Sequence, residues 1–444
     1  MKKIVLSLAI SASISMAATN EKLYQEIQNL KQEMSEMKKS QKEETSAILE
    51  EVSNSHYNEA LKYESFSSLG VAASKVYHSD NMVSLGGYGE YEFKKYNNFK
   101  NYSSDAANET RNKAESNVVR FVPYIGFKFN DWIVMNTEIE FEDGGSRSDG
   151  EKNYKYAIVE FSYLDFLIKE EFALRVGHIL VPFGAVNLNH EPVAYLTAER
   201  PAVETFIIPS TWHTNGLLAH GKIDEIQYYA GVINSPDAGS FTEGRYIQQG
   251  RLGARQFTDD VSFVAHGVYN ITPALTLGAS LMYGASTAQT QSQPGDATGN
   301  ESNAKITMFM AETHLSYKEN GFDIQALATY ANLGGDVTQL RLDIGEDLSE
   351  SVNGQYLTIG YDILTAFNTT HKIYLVGEVE RLDMDATAVT QYVDNNRFYE
   401  YTAGLAYFPD PKIVIKADYG VKDYASEATL ADENALTVSA GFIF

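Results

Sequence analysis

The chain is 444 residues long without a cysteine, and 35 Lys plus Arg against 59 Asp plus Glu give a formal net charge of −24. That acid surplus excludes a nucleic-acid binder held by phosphate contacts, and the missing thiols exclude disulfides, thiolate metal sites and cysteine nucleophiles. Mean hydropathy is −0.27 and no apolar run after the N-terminal segment reaches the ~18 to 20 residues of a membrane helix, which excludes a polytopic helical membrane protein.

Met1, Lys2 and Lys3 form a basic start, residues 4–14 are apolar, and Ser15 and Ala17 put small residues where signal peptidase needs them. Residues 1–18 therefore read as a cleaved signal peptide. A membrane anchor is disfavoured by the short apolar run and by the lack of a cysteine for lipidation. Over residues 19–55 the composition turns to Glu, Lys, Gln, Met and Ser without Gly or Pro, and Leu23, Ile27, Leu30, Met34 and Met37 repeat as the a/d seam of heptads. The seam lapses at Gln41 and Glu44 and partly returns at Ile48 and Val52. Two readings stay open here: a self-associating coiled coil, or a single amphipathic helix. Residues 56–81 form a linker that either stays outside the following domain or enters it.

From residue 82 to 444 the apolar period becomes two. Residues 82–96 set Val83, Leu85, Tyr91 and Phe93 on one face and Tyr88, Glu90, Glu92 and Lys94 on the other. Residues 118–130 and 132–142 repeat the pattern, as half-buried strands do. Further strands are expected over 154–168, 172–181, 216–223, 226–234, 261–270, 274–284, 305–317, 322–333, 354–364, 372–381, 397–408, 412–421 and 435–444. Aromatic residues make up 12% of the chain, with 32 Gly and 10 Pro, a profile suited to many twisted strands.

Connections between these sixteen expected strands alternate between tight turns, such as Asp224-Glu225, and long polar loops. An all-β transmembrane barrel of antiparallel strands shows that asymmetry, with aromatic girdles at the strand ends. A soluble sandwich or propeller is the competing architecture. The girdle pattern of Phe398, Tyr399, Tyr401, Tyr407 and Phe408 weighs against it, and so does the final alternation Leu436, Val438, Ala440, Phe442 and Phe444. A barrel this wide encloses water unless a loop enters it. The third long connection, 182–215, is the candidate, because Pro182, Pro192, Pro201 and Pro209 resist strand formation within it.

Within that loop, "VPFGAVNLNHEP", "ERPAVE" and "IIPSTWHTNG", together with the upstream "GGYGEYEF", "EIEFEDG" and "VEFSYLDF", resemble a family of Gram-negative outer-membrane porins. These are the phosphate-selective-porin-like proteins, including the LbtU-type siderophore porins, which also start with a signal peptide and a short coiled coil. The resemblance covers residue 69 to the C-terminus. It implies that the third loop folds into the lumen as the constriction, and that Phe444 is read by the outer-membrane assembly machinery.

Loop residues His190, Glu191, Glu199, Arg200, Glu204 and His213 are the candidates for the eyelet, since facing charges select ions in narrow pores. The plainer role for each is to pin the loop to the wall. By alternation the lumen wall receives Glu138, Glu140, Glu160, Glu378, Glu380, Glu400 and Asp418 against Arg120, Arg175, Lys222 and Lys416. This acid excess predicts a cation-preferring pore, unlike the basic conduit that a phosphate-selective name implies.

The sequence holds no HExxH, phosphate loop, nucleophile elbow or EF-hand spacing. Accordingly no catalytic residue, cofactor or metal is expected, and the acidic loop 143–151 reads as a solvated hairpin end rather than a Ca²⁺ site. The expectation is a homotrimeric porin of a Gram-negative outer membrane, embedded in its lipid and passing small hydrophilic solutes or ions. A ligand-specific channel for a ferric siderophore and a surface adhesin or structural anchor are the alternatives.

Overall fold

In the computed structural model the described residues are 65–97, 114–144, 157–251, 253, 260–287, 302, 304–387, 396–425 and 433–444, with 28, 31, 32 and 39 near the N-terminus. Residues Met1–Tyr63 form a unit of their own. Gln28, Lys31, Gln32 and Lys39 within it are helical; the expected signal peptide and every residue of the heptad seam lie outside the described residues. The acidic loop 143–151 is described only at Asp143 and Gly144.

The second unit, Glu64–Phe444, is a closed antiparallel barrel in which each strand pairs with its sequence neighbours. Its sixteen strands are β1 (Val83–Asn97), β2 (Ala114–Asn130), β3 (Ile133–Glu142), β4 (Ala157–Lys169), β5 (Phe172–Leu180), β6 (His213–Ile223), β7 (Ile226–Asn234), β8 (Val261–Thr272), β9 (Leu275–Thr287), β10 (Lys305–Glu319), β11 (Phe322–Gly335), β12 (Ser351–Asp362), β13 (Lys372–Asp383), β14 (Arg397–Asp410), β15 (Ile413–Tyr424) and β16 (Glu433–Ile443). Every expected strand has its counterpart, with shifts confined to the ends. At the third long connection, His213 to Asn215 already belong to β6, so the loop proper ends at Trp212.

Pairing of β1 with β16, from Tyr88 opposite Ile443 to Asn97 opposite Asn434, closes the sheet. Just beyond it the Phe444 N–H donates to the Gly87 carbonyl at 2.9 Å and the Gly87 N–H to the Phe444 carbonyl at 3.1 Å. Closure leaves no unpaired edge. Along β3 the side chains of Val134, Asn136, Glu138 and Glu140 are buried inside. Outside, Leu85, Phe93, Phe129, Phe263, Leu281 and Leu405 are exposed. A soluble monomer rarely exposes contiguous apolar patches beyond a few hundred Å², whereas an outward apolar belt is what lipid requires of a transmembrane barrel.

Alternation breaks at one point that matters for the interior. Glu138 pairs with Phe161 and Ile139 with Val159, so Glu160 is the extra residue of a β-bulge in β4. A bulge sends two successive side chains to one face, and both Glu160 and Phe161 are buried inside.

Wall side chains alone do not fill so wide a barrel. Three stretches of chain occupy the interior: the third outer connection, 181–212; the described part of the fourth, 235–251; and residues 65–79 ahead of β1. One apolar cluster runs through them, from Leu69 by Phe183, Ile207 and Trp212 to Phe241, Ile247 and Phe398. Residues 65–79 include a single helical turn, α1 (Lys75–His78). Its Val76 rests over Gly126 of β2, where a side chain on the wall would collide with it. A second helix, α2 (Val337–Ile344), lies between β11 and β12 and joins the cluster through Val337, Leu340 and Ile344. It stops at Gly345, whose φ of 74° places it in the left-handed region that glycine tolerates.

Candidate functional site

Carboxylates that point inward from the wall receive backbone N–H groups of the third connection. Glu380 accepts from Ala202 and Val203, each at 2.9 Å, and so satisfies donors at the start of the helical turn Val203–Ile207 that have no partner within the turn. Asp418 accepts from the Ala198 N–H at 2.6 Å. Glu204 reverses the direction, reaching from the loop to accept the Ala185 and Val186 N–H groups at 2.8 Å and the Tyr356 hydroxyl of β12 at 2.7 Å. Burial raises its carboxyl above the usual range. Asn187 closes the neck of the loop: its amide donates to the Val181 and Trp212 carbonyls and its oxygen accepts the Trp212 N–H at 2.7 Å.

On the β3–β4 side the loop meets a second group. The His190 imidazole Nε2 lies 3.2 Å from Glu138 Oε1 and 3.6 Å from Glu160 Oε2. Burial first, then the Arg200 charge, push the His190 imidazole down to about 4. It is thus neutral at pH 7, and these contacts are not ion pairs. Arg200 itself donates to the Ser210 hydroxyl at 2.9 Å and to the His190 carbonyl at 3.0 Å. Next in sequence, Glu191 accepts the Ala72 and Ala73 N–H groups at 3.2 and 3.0 Å, tying the loop to the segment ahead of β1. Burial pushes the Glu191 carboxyl up to about 7 against the pull of those N–H groups.

That segment has its own fastening. Tyr77 donates its hydroxyl to Asp165 at 2.7 Å, Asn136 donates to the Ala73 carbonyl at 2.8 Å, and Lys128 donates to the Tyr77 and Ser79 carbonyls. Residues 65–79 thereby lie inside the wall formed by β2 to β7, whereas the sequence left their position open.

Water reaches a different part of the interior. Near the outer ends of β1, β14, β15 and β16 stand Glu92, Lys94, Glu400, Lys422 and Glu433, with Glu199 reaching in from the loop at 54% side-chain exposure. Lys94 pairs with Glu199 at 2.5 Å and Lys422 with Glu400 at 3.6 Å. Glu433 is within Coulombic reach of Lys422, Lys94, Glu400 and Glu199, and Glu92 of Glu199 and Lys94. Among these described groups four carboxylates stand with two ammonium groups, so acid outnumbers base.

Of the eyelet candidates, Glu199 faces this mouth and Arg200 is half-buried beside it, while His190, Glu191 and Glu204 are buried in loop-holding bonds. His213, the first residue of β6, is buried with its Nδ1 at 2.7 Å from His178 Nε2. Among the wall candidates, Arg120 meets Glu90 at 3.3 Å and Glu140 at 3.5 Å. Arg175 pairs with Asp165 at 2.8 Å, and Glu378 accepts from the Thr358 hydroxyl at 2.5 Å. The Lys416 ammonium sits 3.7 Å over the Tyr195 ring, whose hydroxyl donates to Glu90 at 3.1 Å. Lys222 is exposed at the β6–β7 turn, away from the rest. Asn187, Tyr356 and Tyr77 were not singled out from the sequence. Neutral residues inside a barrel carry no charge pattern by which to find them.

No protein-family model matches the chain. An uncharacterized protein of Aquifex aeolicus (strain VF5) is 31% identical over 376 residues, spanning 82% of this chain and 80% of that one. The chain belongs to the family of that protein. Among solved structures, the outer membrane channel DcaP of Acinetobacter baumannii aligns at 14% identity with a TM-score of 0.51, over 82% of this chain and 97% of that one. The anion-selective porin of Comamonas acidovorans aligns at 11% identity with a TM-score of 0.48, over 82% and 99%. At these identities the likeness is one of fold: the family member described here has the barrel of an outer-membrane channel. Phosphate-selective or LbtU-type kinship is a narrower claim than these matches carry.

Proposed function

We propose that the protein is an outer-membrane porin that lets small hydrophilic solutes diffuse passively, with a preference for cations. The observation that carries this reading is the surplus of carboxylates over ammonium groups at the water-reached mouth, Glu92, Glu199, Glu400 and Glu433 against Lys94 and Lys422. Negative potential in a low-dielectric passage concentrates cations and repels anions. Reversal potentials of the refolded protein in a planar bilayer under a KCl gradient test it; an anion-selective sign overturns the charge claim, and zero conductance overturns the channel.

In the same reading, residues 1–18 export the chain, Phe444 is recognised by the assembly machinery, and the heptad seam of residues 19–55 joins three copies. Crosslinking in detergent should trap trimers with the full mature chain and monomers after deletion of residues 21–52. Monomers from both would remove the trimer.

A second reading, a channel specific for one ligand, is favoured by how much of the lumen three chain segments occupy. A ferric siderophore is the ligand that the LbtU-type resemblance implies. Saturable block of ion current by such a ligand, lost on substitution of Arg200, would favour it over general diffusion.

A further inference from the structure

We propose that Glu138, Glu160 and His190 form a site for a divalent transition-metal ion that fastens the third outer connection to the barrel wall. No motif spacing links the three residues, which sit on β3, on the β4 bulge and in the loop, so a metal was not expected from the chain.

Geometry carries the assignment. The three side chains are 0%, 0% and 2% exposed, and their donor atoms all lie within 4.8 Å of one another. Tetrahedral ligands held about 2.0–2.2 Å from a zinc-sized ion stand about 3.3–3.6 Å apart. The 3.2 Å from His190 Nε2 to Glu138 and the 3.6 Å to Glu160 are close to that spacing, and the two carboxylate donors lie within 4.8 Å of each other. His190 Nδ1 lies 2.9 Å from the Asn187 carbonyl. As that oxygen only accepts, Nδ1 carries the proton, and in the neutral ring Nε2 turns a lone pair toward the two carboxylates. Holding the far ring nitrogen on a backbone carbonyl is how metal-binding imidazoles are oriented.

Two independent observations point to a ligand there. Glu138 Oε2 and Glu160 Oε2 are buried without a hydrogen-bond donor; Glu160 Oε2 is the atom that faces His190, while its other oxygen accepts the Thr211 hydroxyl. Furthermore, among the described residues no Lys or Arg pairs with either carboxylate. The cations around them are committed elsewhere, Arg120 to Glu90 and Glu140, Arg200 to Ser210 and the His190 carbonyl, and Arg251, which is within Coulombic reach of Glu160, to the Thr211 and Gln248 carbonyls. Buried carboxylates are stable only when paired, protonated or bound to a metal. A divalent ion neutralises both at once, and an imidazole with two carboxylates suits Zn²⁺, Mn²⁺ or Co²⁺.

The full mature chain, refolded in detergent and stripped with EDTA, is loaded with Zn²⁺ and dialysed, and metal is counted per folded chain. We expect one equivalent in the wild type and in E378Q, whose buried carboxylate accepts from Thr358 on β12 outside the donor set, and a loss of tenfold or more in affinity in E138Q, E160Q and H190Q. Wild type without metal, or ligand variants that keep it, overturns the site. Should those variants fail to reach the heat-resistant folded form, the wild type decides alone. Zn²⁺ raises its melting temperature and Co²⁺ gives a visible d–d absorption that Zn²⁺ abolishes; absence of both overturns the site.

Discussion

Arg175 Nη2 lies 2.8 Å from Asp165 Oδ2, and the two residues stand directly opposite each other on β5 and β4 with no more than 2% exposure. The pair does more than compensate charge. Tyr77 donates to the same Asp165 oxygen, and His220 Nε2 lies 2.7 Å from the other, so one wall carboxylate gathers β5, β6 and the segment ahead of β1. Breaking a buried pair by removing one partner costs about 3–5 kcal/mol.

Removal of the tyrosine hydroxyl alone isolates the hold on the segment. Y77F should loosen residues 65–79 by about 1–3 kcal/mol while the barrel still closes. The chain has no native cysteine, so Ala73→Cys offers a clean reporter. Its maleimide labelling should be slow in an otherwise unaltered chain and at least several-fold faster with Y77F. Equal rates would refute the latch.

The Glu380 carboxylate, by accepting two loop N–H groups, limits motion of the third connection. E380Q keeps the size but replaces one of the two accepting oxygens by an amide NH2, which cannot accept, and leaves one loop N–H unpaired at a cost of about 1–3 kcal/mol. Single-channel records should become noisier, with more frequent excursions to other conductance levels. Traces as quiet as the wild type would mean that the loop is held elsewhere.

At the mouth, E92Q with E199Q removes the local excess of acid. The cation-to-anion permeability ratio should fall about twofold, as expected when the field at a pore entrance is cancelled, whereas K94Q should raise it. Movement of the two ratios in the same direction would show that selectivity is set deeper in the lumen.

Burial raises the Glu204 carboxyl above its ordinary 4.5. For an acid with a raised folded-state pKa, the folded form favours the proton. The stability it adds is complete below the unfolded value and is lost as pH rises through the raised one. The melting temperature of E204Q, which mimics the protonated carboxyl, should therefore match the wild type in mild acid and exceed it increasingly toward neutral pH and above. A difference constant with pH would assign Glu204 a purely steric role.

Much of the barrel was legible along the chain. Val83, Leu85, Tyr91 and Phe93 face outward and Tyr88, Glu90 and Lys94 inward, as alternation predicts, because side-chain facing in a strand follows from neighbouring residues alone. The candidate site was legible in part. Prolines marked the third connection as a loop, but which of its charges meet water could not be read there. Glu191 and Glu204 look as available as Glu199 in the sequence, yet the first two are consumed by backbone N–H groups and the third is exposed.

What the sequence determined by itself was the set of strands, their inward and outward faces and the acidity of the interior, all of which depend on local spacing and composition. Tertiary structure alone decided how that acidity is used. Glu191 meets Ala72 across 119 residues and Glu380 meets Ala202 across 178, and the bulge at Glu160 turns one further carboxylate toward His190. Such meetings are set by where a loop crosses the lumen and by a single unpaired residue in a strand, neither of which leaves a period in the sequence.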